Sequence, residues 1–322
     1  NTPYFHIEKG KQGGDGMNIL SMAFIVGLLT ATVRMMVPIL LSALGETYSE
    51  RAGILNIGLE GIMLISAFCA FLGSYYFNSA AVGVLFGAAS GLLVGLVAAF
   101  LSVTLQINQM ISGIALNMAA AGLTSFFYRV MFGVLPIPPQ AKSLPVLEIP
   151  VLKNIPFLGE ILFQHNILVY AAFILVPVSS IILYKTSFGL KIRAVGENPK
   201  AVDTVGVSVN GVRYSAVCIC GLLTGLAGTC LTIGQLNMFM DNISAGRGFI
   251  ALAAVIFGKW NPKGVLFASV IFAFADALQL RLQSLGFQIP YQFLVMLPYV
   301  LTVVALAGVV GRSKGPAALG KA

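Results

Sequence analysis

The sequence predicts an all-α integral membrane protein, a polytopic bundle of about eight to ten transmembrane helices, some of them discontinuous. Three observations carry that expectation. Hydrophobic residues fill 58% of the 322 positions, and charged residues only 9%. A soluble domain carries roughly 25% charged residues, so this chain cannot cover itself for water. Mean hydropathy is +0.92, and apolar runs near the 20-residue length of a membrane span recur along the chain.

Residues 1–16, with the polar run GKQGGDG, read as a flexible extension before Met17. The transmembrane domain is expected over 17–311. Its first span, about 18–44, contains Arg34 and Pro38; it is too long for a cleavable signal and lacks a small-residue cleavage pattern. The second, about 52–72, carries Asn56 and Glu60. Spans three and four fall near 82–105 and 109–132. The Pro-bearing stretch 133–165 has apolar patches but no span. A fifth span lies near 166–184, and a polar segment follows. Then come 212–237, a short apolar piece 248–258, 263–283, 291–310 and a basic tail, 312–322.

Orientation follows the Lys/Arg bias. Residues 185–213 hold Lys185, Lys191, Arg193, Lys200 and Arg213; Lys259 and Lys263 follow, then Arg312, Lys314 and Lys321. All three groups share one side if 248–258 crosses, and the positive-inside rule makes that side cytoplasmic. The N-terminus and 133–165 then lie outside. If the short piece is instead a re-entrant half-helix, the count changes by one crossing.

An inverted internal repeat is also expected. GVLFGAAS at 83–90 resembles GVLFASVI at 264–271, and each follows a Gly-rich segment, AGILNIGLEG at 52–61 and AGRGFIALAA at 245–254. Under the topology above the two copies run in opposite directions, a plan common in transporters, with the pathway at the repeat interface.

Glu60, Asp276 and Arg34 are charges placed inside spans, where each costs about 2.5–3.5 kcal/mol on insertion scales and must face protein or water. Glu60 and Asp276 could form a proton or cation site, or could hydrogen-bond neighbouring backbone. Gly58 and Gly61 loosen the helix around Glu60, and Gln279 and Arg281 offer Asp276 local partners. The amides Asn56, Asn108, Gln109, Asn117, Gln235 and Asn237 suit a hydroxylated or heterocyclic solute, or they glue helices. The candidate pathway set is Asn56, Glu60, Asn117, Gln235, Asn237 and Asp276. GLLTGLAG at 221–228 reads as close helix packing. The four cysteines, Cys69, Cys218, Cys220 and Cys230, read as small buried residues with neither disulfide nor metal-pair spacing. No catalytic, cofactor or metal constellation is expected, Trp260, His6 and His165 receive no chemistry, and the net charge of +8 is too dispersed for a nucleic-acid partner.

Within the polar segment, RAVGENPKAVDTVGV at 193–207 has the grammar of a small surface helix. Asn198 can cap it, Pro199 suits its first turn and Gly206 can end it. No phosphate-cradling GxxxxGK[ST] occurs, so the chain supplies no ATPase of its own.

GILNIGLEGIMLISA at 53–67, SFGLKIRAVGENPKAVDTVGV at 187–207 and GRGFIALAAVIFGKWNPKG at 246–264 together resemble one family. It is the permease subunits of ABC importers related to the branched-chain amino acid and ribose systems, and NIGLEG with GRGFIALAAVIFGKWNP looks most like the nucleoside-importer permeases. The resemblance implies a type II ABC importer-like fold in a bacterial cytoplasmic membrane. It implies three protein partners: a cytoplasmic ABC ATPase, a second related permease and an extracytoplasmic solute-binding protein. Membrane lipid would surround the bundle. It also implies that a cytoplasmic loop at about 185–211 carries a coupling helix. There Gly196, Glu197, Asn198 and Pro199 would set the turn and cap, while Ala201, Val202 and Val205 would offer small apolar contacts. The function expected is a non-catalytic nucleoside-importer permease, with a simple sugar or a branched-chain amino acid as alternative solutes. A secondary transporter using Glu60 or Asp276 for coupling protons is the competing class.

Overall fold

The computed structural model describes residues 22–133, 137–148, 158–284 and 315–321, together with Met296 and Val300. In chain order its helices are α1 (Met22–Arg51), α2 (Leu59–Phe77), α3 (Ala80–Ala99), α4 (Gln109–Phe132), α5 (Leu158–Leu162), α6 (Ile167–Lys185), α7 (Ser187–Glu197), α8 (Pro199–Thr204), α9 (Val209–Leu231), α10 (Arg247–Phe257) and α11 (Pro262–Ser284). Single π-helical turns, Phe100–Thr104 and Thr232–Leu236, extend α3 and α9. Among the described residues seven helices are long and apolar enough to cross a membrane: α1, α2, α3, α4, α6, α9 and α11.

The predicted helical membrane bundle is therefore the observed architecture, with two corrections. Strands β1 (Val146–Glu148) and β2 (Gln164–Asn166) form a small antiparallel ladder in the segment expected to hold no span. The first span also does not stop near residue 44; α1 continues to Arg51. ETYSE reads as loop because it is polar, yet Glu46 to Glu50 are all buried, and partners from other elements keep the helix intact. The expected span at 291–310 and the extension 1–16 lie outside the described residues, apart from Met296 and Val300.

Close backbone approach builds the centre. Gly83, Gly87, Gly91 and Gly95 line the face of α3 that meets α9. A Cβ on Gly91 would lie 2.5 Å from both the Gly221 carbonyl oxygen and the Gly225 Cα. Lipid tails give no hydrophobic drive between helices, so contact at this range supplies the packing energy instead. The reading of GLLTGLAG as a packing face holds.

The chain's direction can be followed from its ends. Arg51, Gly196, Trp260 and Ala318 meet at one end of the bundle, where the Arg51 Nε donates to the Trp260 carbonyl at 3.0 Å and the Ala318 N–H to the Gly196 carbonyl at 2.9 Å. This is the basic end. At the opposite end Ser74 bonds to Lys142, Leu144 to Ile233 and Asn166 to Gly234. From Asn237 at that opposite end the chain reaches Trp260 at the basic end through an irregular stretch and α10. The short piece 248–258 thus completes a crossing rather than turning back. Ser284 and Gly315 also sit at opposite ends, since α11 rises from Trp260 and Gly315 packs on the Trp260 ring.

Candidate functional site

Two crossings are broken, and they meet. After α1 the chain climbs back along it: Ser49 Oγ bonds to the Ile54 carbonyl at 2.8 Å, and Glu46 Oε1 accepts from the Asn56 N–H at 2.8 Å. Only then does α2 begin, within the bundle. The irregular stretch after α9 descends from the other end until α10 begins beside it. One carboxylate joins them. Glu60 Oε1 accepts from the Gly246 N–H and Oε2 from the Gly248 N–H, both at 2.7 Å. These are orphan donors at the first turn of α10, and an anion there also satisfies the helix dipole. The approach needs glycine: a Cβ on Gly248 would lie 2.5 Å from the Glu60 nitrogen. From this junction α2 runs to one end of the bundle and α10 to the other. Helices α1, α2 and α3 thus run opposite to α9, α10 and α11, and the two GVLF segments start α3 and α11. This is the inverted arrangement the sequence predicts.

The remaining pathway candidates are mostly occupied with backbone. Asn117 Oδ1 accepts from the Gly61 N–H at 2.7 Å and its Nδ2 donates to the Ile57 carbonyl at 3.0 Å, so α4 braces the start of α2. Asn56 Oδ1 accepts from the Gly58 N–H at 3.1 Å. Gln235 Nε2 donates to the Arg34 carbonyl at 2.8 Å. Asn237 ends the π turn in a left-handed conformation and accepts from the Ala141 N–H. Asp276 lies on α11, where the Arg247 cation at the start of α10 acts on its carboxyl. Asn108 caps α4. Gln109 holds the Leu55 N–H at 2.8 Å, its buried Nε2 has no protein partner, and the residue lines a cavity of about 10 Å³. That is about one water's space.

Sequence reasoning missed Glu46, Glu50 and Trp260. Glu46 Oε2 accepts from the Cys220 thiol at 3.2 Å, which makes Cys220 more than an apolar filler. Glu50 accepts from the Trp260 indole N–H, fastening the exit of α10 to α1. The available signal was the i, i+4 spacing of Glu46 and Glu50, which puts both on one face of a helix if α1 continues. Among the described residues no group of three or more His, Cys, Asp or Glu is placed to hold a metal ion.

At the basic end the polar segment folds as an elbow. Helix α7 ends at Glu197, the Asn198 side chain accepts from the Ala201 N–H at 3.2 Å, Pro199 opens α8, and Gly206 follows it at φ +76°. Glu197, Asn198, Ala201 and Val205 are exposed, Val205 by 74%. Gly196 and Val202 correct the expectation. Gly196 is the last buried turn of α7, pressed so closely on the Arg51 carbonyl that a Cβ would lie 2.0 Å from it. Val202 is buried with Tyr48, Leu183, Ile192 and Val212. It anchors α8 to the bundle and leaves Ala201 and Val205 as the apolar surface.

Residues 28–306 match the family described as branched-chain amino acid transport system, permease component. The chain belongs to that permease family. Among curated relatives, the guanosine ABC transporter permease NupQ of Bacillus subtilis is 39% identical over 94% of this chain and 98% of its own length. The nucleoside ABC transporter permease NupC of Lactococcus lactis is 37% identical over 88% of this chain and 92% of its own. The putative glucose ABC transporter permease TsgC13 of Haloferax volcanii is 39% identical over 82% and 80%. Each organism supplies a second, more distant match, NupP, NupB or TsgB13, at 25–27% identity. No solved structure matches. As a permease component the chain forms a membrane passage and hydrolyses nothing itself.

Proposed function

We propose that this permease imports nucleosides across a bacterial cytoplasmic membrane as one of two permease subunits driven by a separate ABC ATPase. The exposed, capped helix α8 at the basic end carries the reading. It is a short rigid knob, anchored by Val202 and presenting Ala201 and Val205, and its placement beside Lys191, Lys200 and Lys321 suits the cytoplasmic face under the positive-inside rule. The ATPase docks there, with Glu197 and Asn198 at the edge of the contact. An extracytoplasmic solute-binding protein docks at the opposite end, and lipid covers the exposed apolar flank of α4 (Met110, Ile111, Ile114, Met118). The nucleoside assignment draws on NupQ and NupC. The paired matches in each organism favour a heterodimeric pore. Both oxygens of Glu60 are engaged by backbone N–H groups, which favours this reading over a proton-coupled carrier.

A sugar is the second reading, favoured by the resemblance to TsgC13. Co-purifying the chain with its genomic neighbours and measuring solute-stimulated ATP hydrolysis decides between them. Stimulation by guanosine or uridine, delivered with the binding protein, is the expected result. Stimulation by glucose or leucine alone would replace the nucleoside assignment.

A further inference from the structure

Residues 315–321 pack into the basic end instead of trailing from it. The Ala318 N–H donates to the Gly196 carbonyl at 2.9 Å, and the Gly320 N–H donates to the Gly53 carbonyl at 3.1 Å. Arg213 Nη2 donates to the Lys321 carbonyl at 3.4 Å. Gly315 lies against the Trp260 ring, where a Cβ would sit 2.9 Å from its Cη2, and Pro316 meets Gly196. Ala318 is 5% exposed. Turns closed by the Leu319 and Lys321 N–H groups stiffen the segment. One short stretch therefore touches the elbow before α8, the base of the first broken crossing, the exit of the second, and the start of α9.

We propose that residues 315–321 form a coupling strap: they position the α7–α8 elbow against the inner ends of both broken crossings, so that displacement of α8 reaches Gly53 and Trp260 together. From Trp260 the movement passes to Glu50 of α1, and from Gly53 along the climbing stretch toward Asn56 and the Glu60 junction. Packed side chains and hydrogen bonds with two discrete arrangements can carry coupling between sites, and this segment supplies a contiguous connection of that kind. The inference rests on the reading that α8 receives the ATPase.

The test removes the N–H that bonds the segment to the elbow, and proline also puts its ring carbon against the Gly196 carbonyl. Ala318→Pro deletes the donor to Gly196 while keeping an apolar side chain; Ala318→Ser keeps the donor. Each is purified as the full complex, and ATPase co-purification, basal hydrolysis and ATP-driven guanosine uptake are measured. Ala318→Pro is expected to keep the ATPase bound and hydrolysing at the basal rate, while uptake and solute-stimulated hydrolysis fall about tenfold and Ala318→Ser stays within about twofold of wild type. Uptake by Ala318→Pro within about twofold of wild type overturns the strap. So does loss of insertion or of ATPase binding in Ala318→Pro, because the segment would then be a folding or docking element. A wild-type complex with no ATP-driven uptake would instead fail the functional reading beneath it.

Discussion

Glu60 and Gly248 lie 188 positions apart, yet the carboxylate of one accepts the backbone N–H of the other at 2.7 Å. The bond joins two helices that both start inside the bundle and run in opposite directions. A carboxylate with two backbone N–H donors needs two acceptors, and an amide offers only one. Glu60→Gln therefore turns its NH₂ toward Gly246 or Gly248 and costs about 1–3 kcal/mol. The variant should melt at a lower temperature in detergent and transport more slowly while keeping its ATP requirement. Unchanged melting would mean that the carboxylate does not hold the junction.

Glycine substitutions should divide by the space around them. Gly248→Ala and Gly91→Ala each put a Cβ within 2.5 Å of backbone atoms, whereas a Cβ on Gly122 of α4 meets nothing within 4 Å. Assembled permease recovered from membranes should fall sharply for the first two and hold for Gly122→Ala. Equal recovery of all three would contradict the packing.

Trp260 and Glu50 form a second fastening. Trp260→Phe keeps an aromatic side chain but loses the indole N–H and part of the ring packing, and strands a buried carboxylate, at a cost of about 3 kcal/mol. Glu50→Gln keeps an oxygen for the indole and should cost less. Thermal unfolding of the two variants checks the order, and the reverse order would remove the bond from the account.

His165 gives a pH dependence outside the spans. Burial holds its imidazole below the ordinary histidine value, with the nearby Arg34 cation acting the same way against a backbone hydrogen bond to Ile161 that acts in the opposite sense. The neutral ring is the one that fits. Stability from this group is present above the ordinary value of about 6.5 and is lost as pH falls below it, since only the opened segment then takes up the proton. Corrected for the intrinsic exchange rate, the protection of amides around β2 should fall as the pH drops from about 7.5 to about 5.5. In His165→Gln that change should disappear.

The sequence made the bundle legible because hydropathy over about 20 residues is a strong signal, and α4 was placed at its observed limits. Asn198 and Pro199 were equally legible, because a cap is a local interaction. What stayed hidden was long-range. ETYSE looks like loop until Asn56, Cys220 and Trp260 arrive to satisfy Glu46 and Glu50. Val202 reads as surface beside Ala201 until Tyr48 and Leu183 cover it. For Asp276 the sequence shows only neighbours on its own helix, and the structure adds Arg247 of α10.

The most direct test of the whole account is uptake in sealed vesicles holding this permease, a second permease and the ATPase, with the binding protein outside the compartment that stands for cytoplasm. Labelled guanosine is the probe, and ATP and the proton gradient are varied independently. Accumulation is expected to need ATP on the α8 side, to survive a proton uncoupler, and to be lost in Ala201→Trp although that variant inserts normally. Accumulation without the ATPase that collapses with the proton gradient, and is untouched by Ala201→Trp, would contradict it.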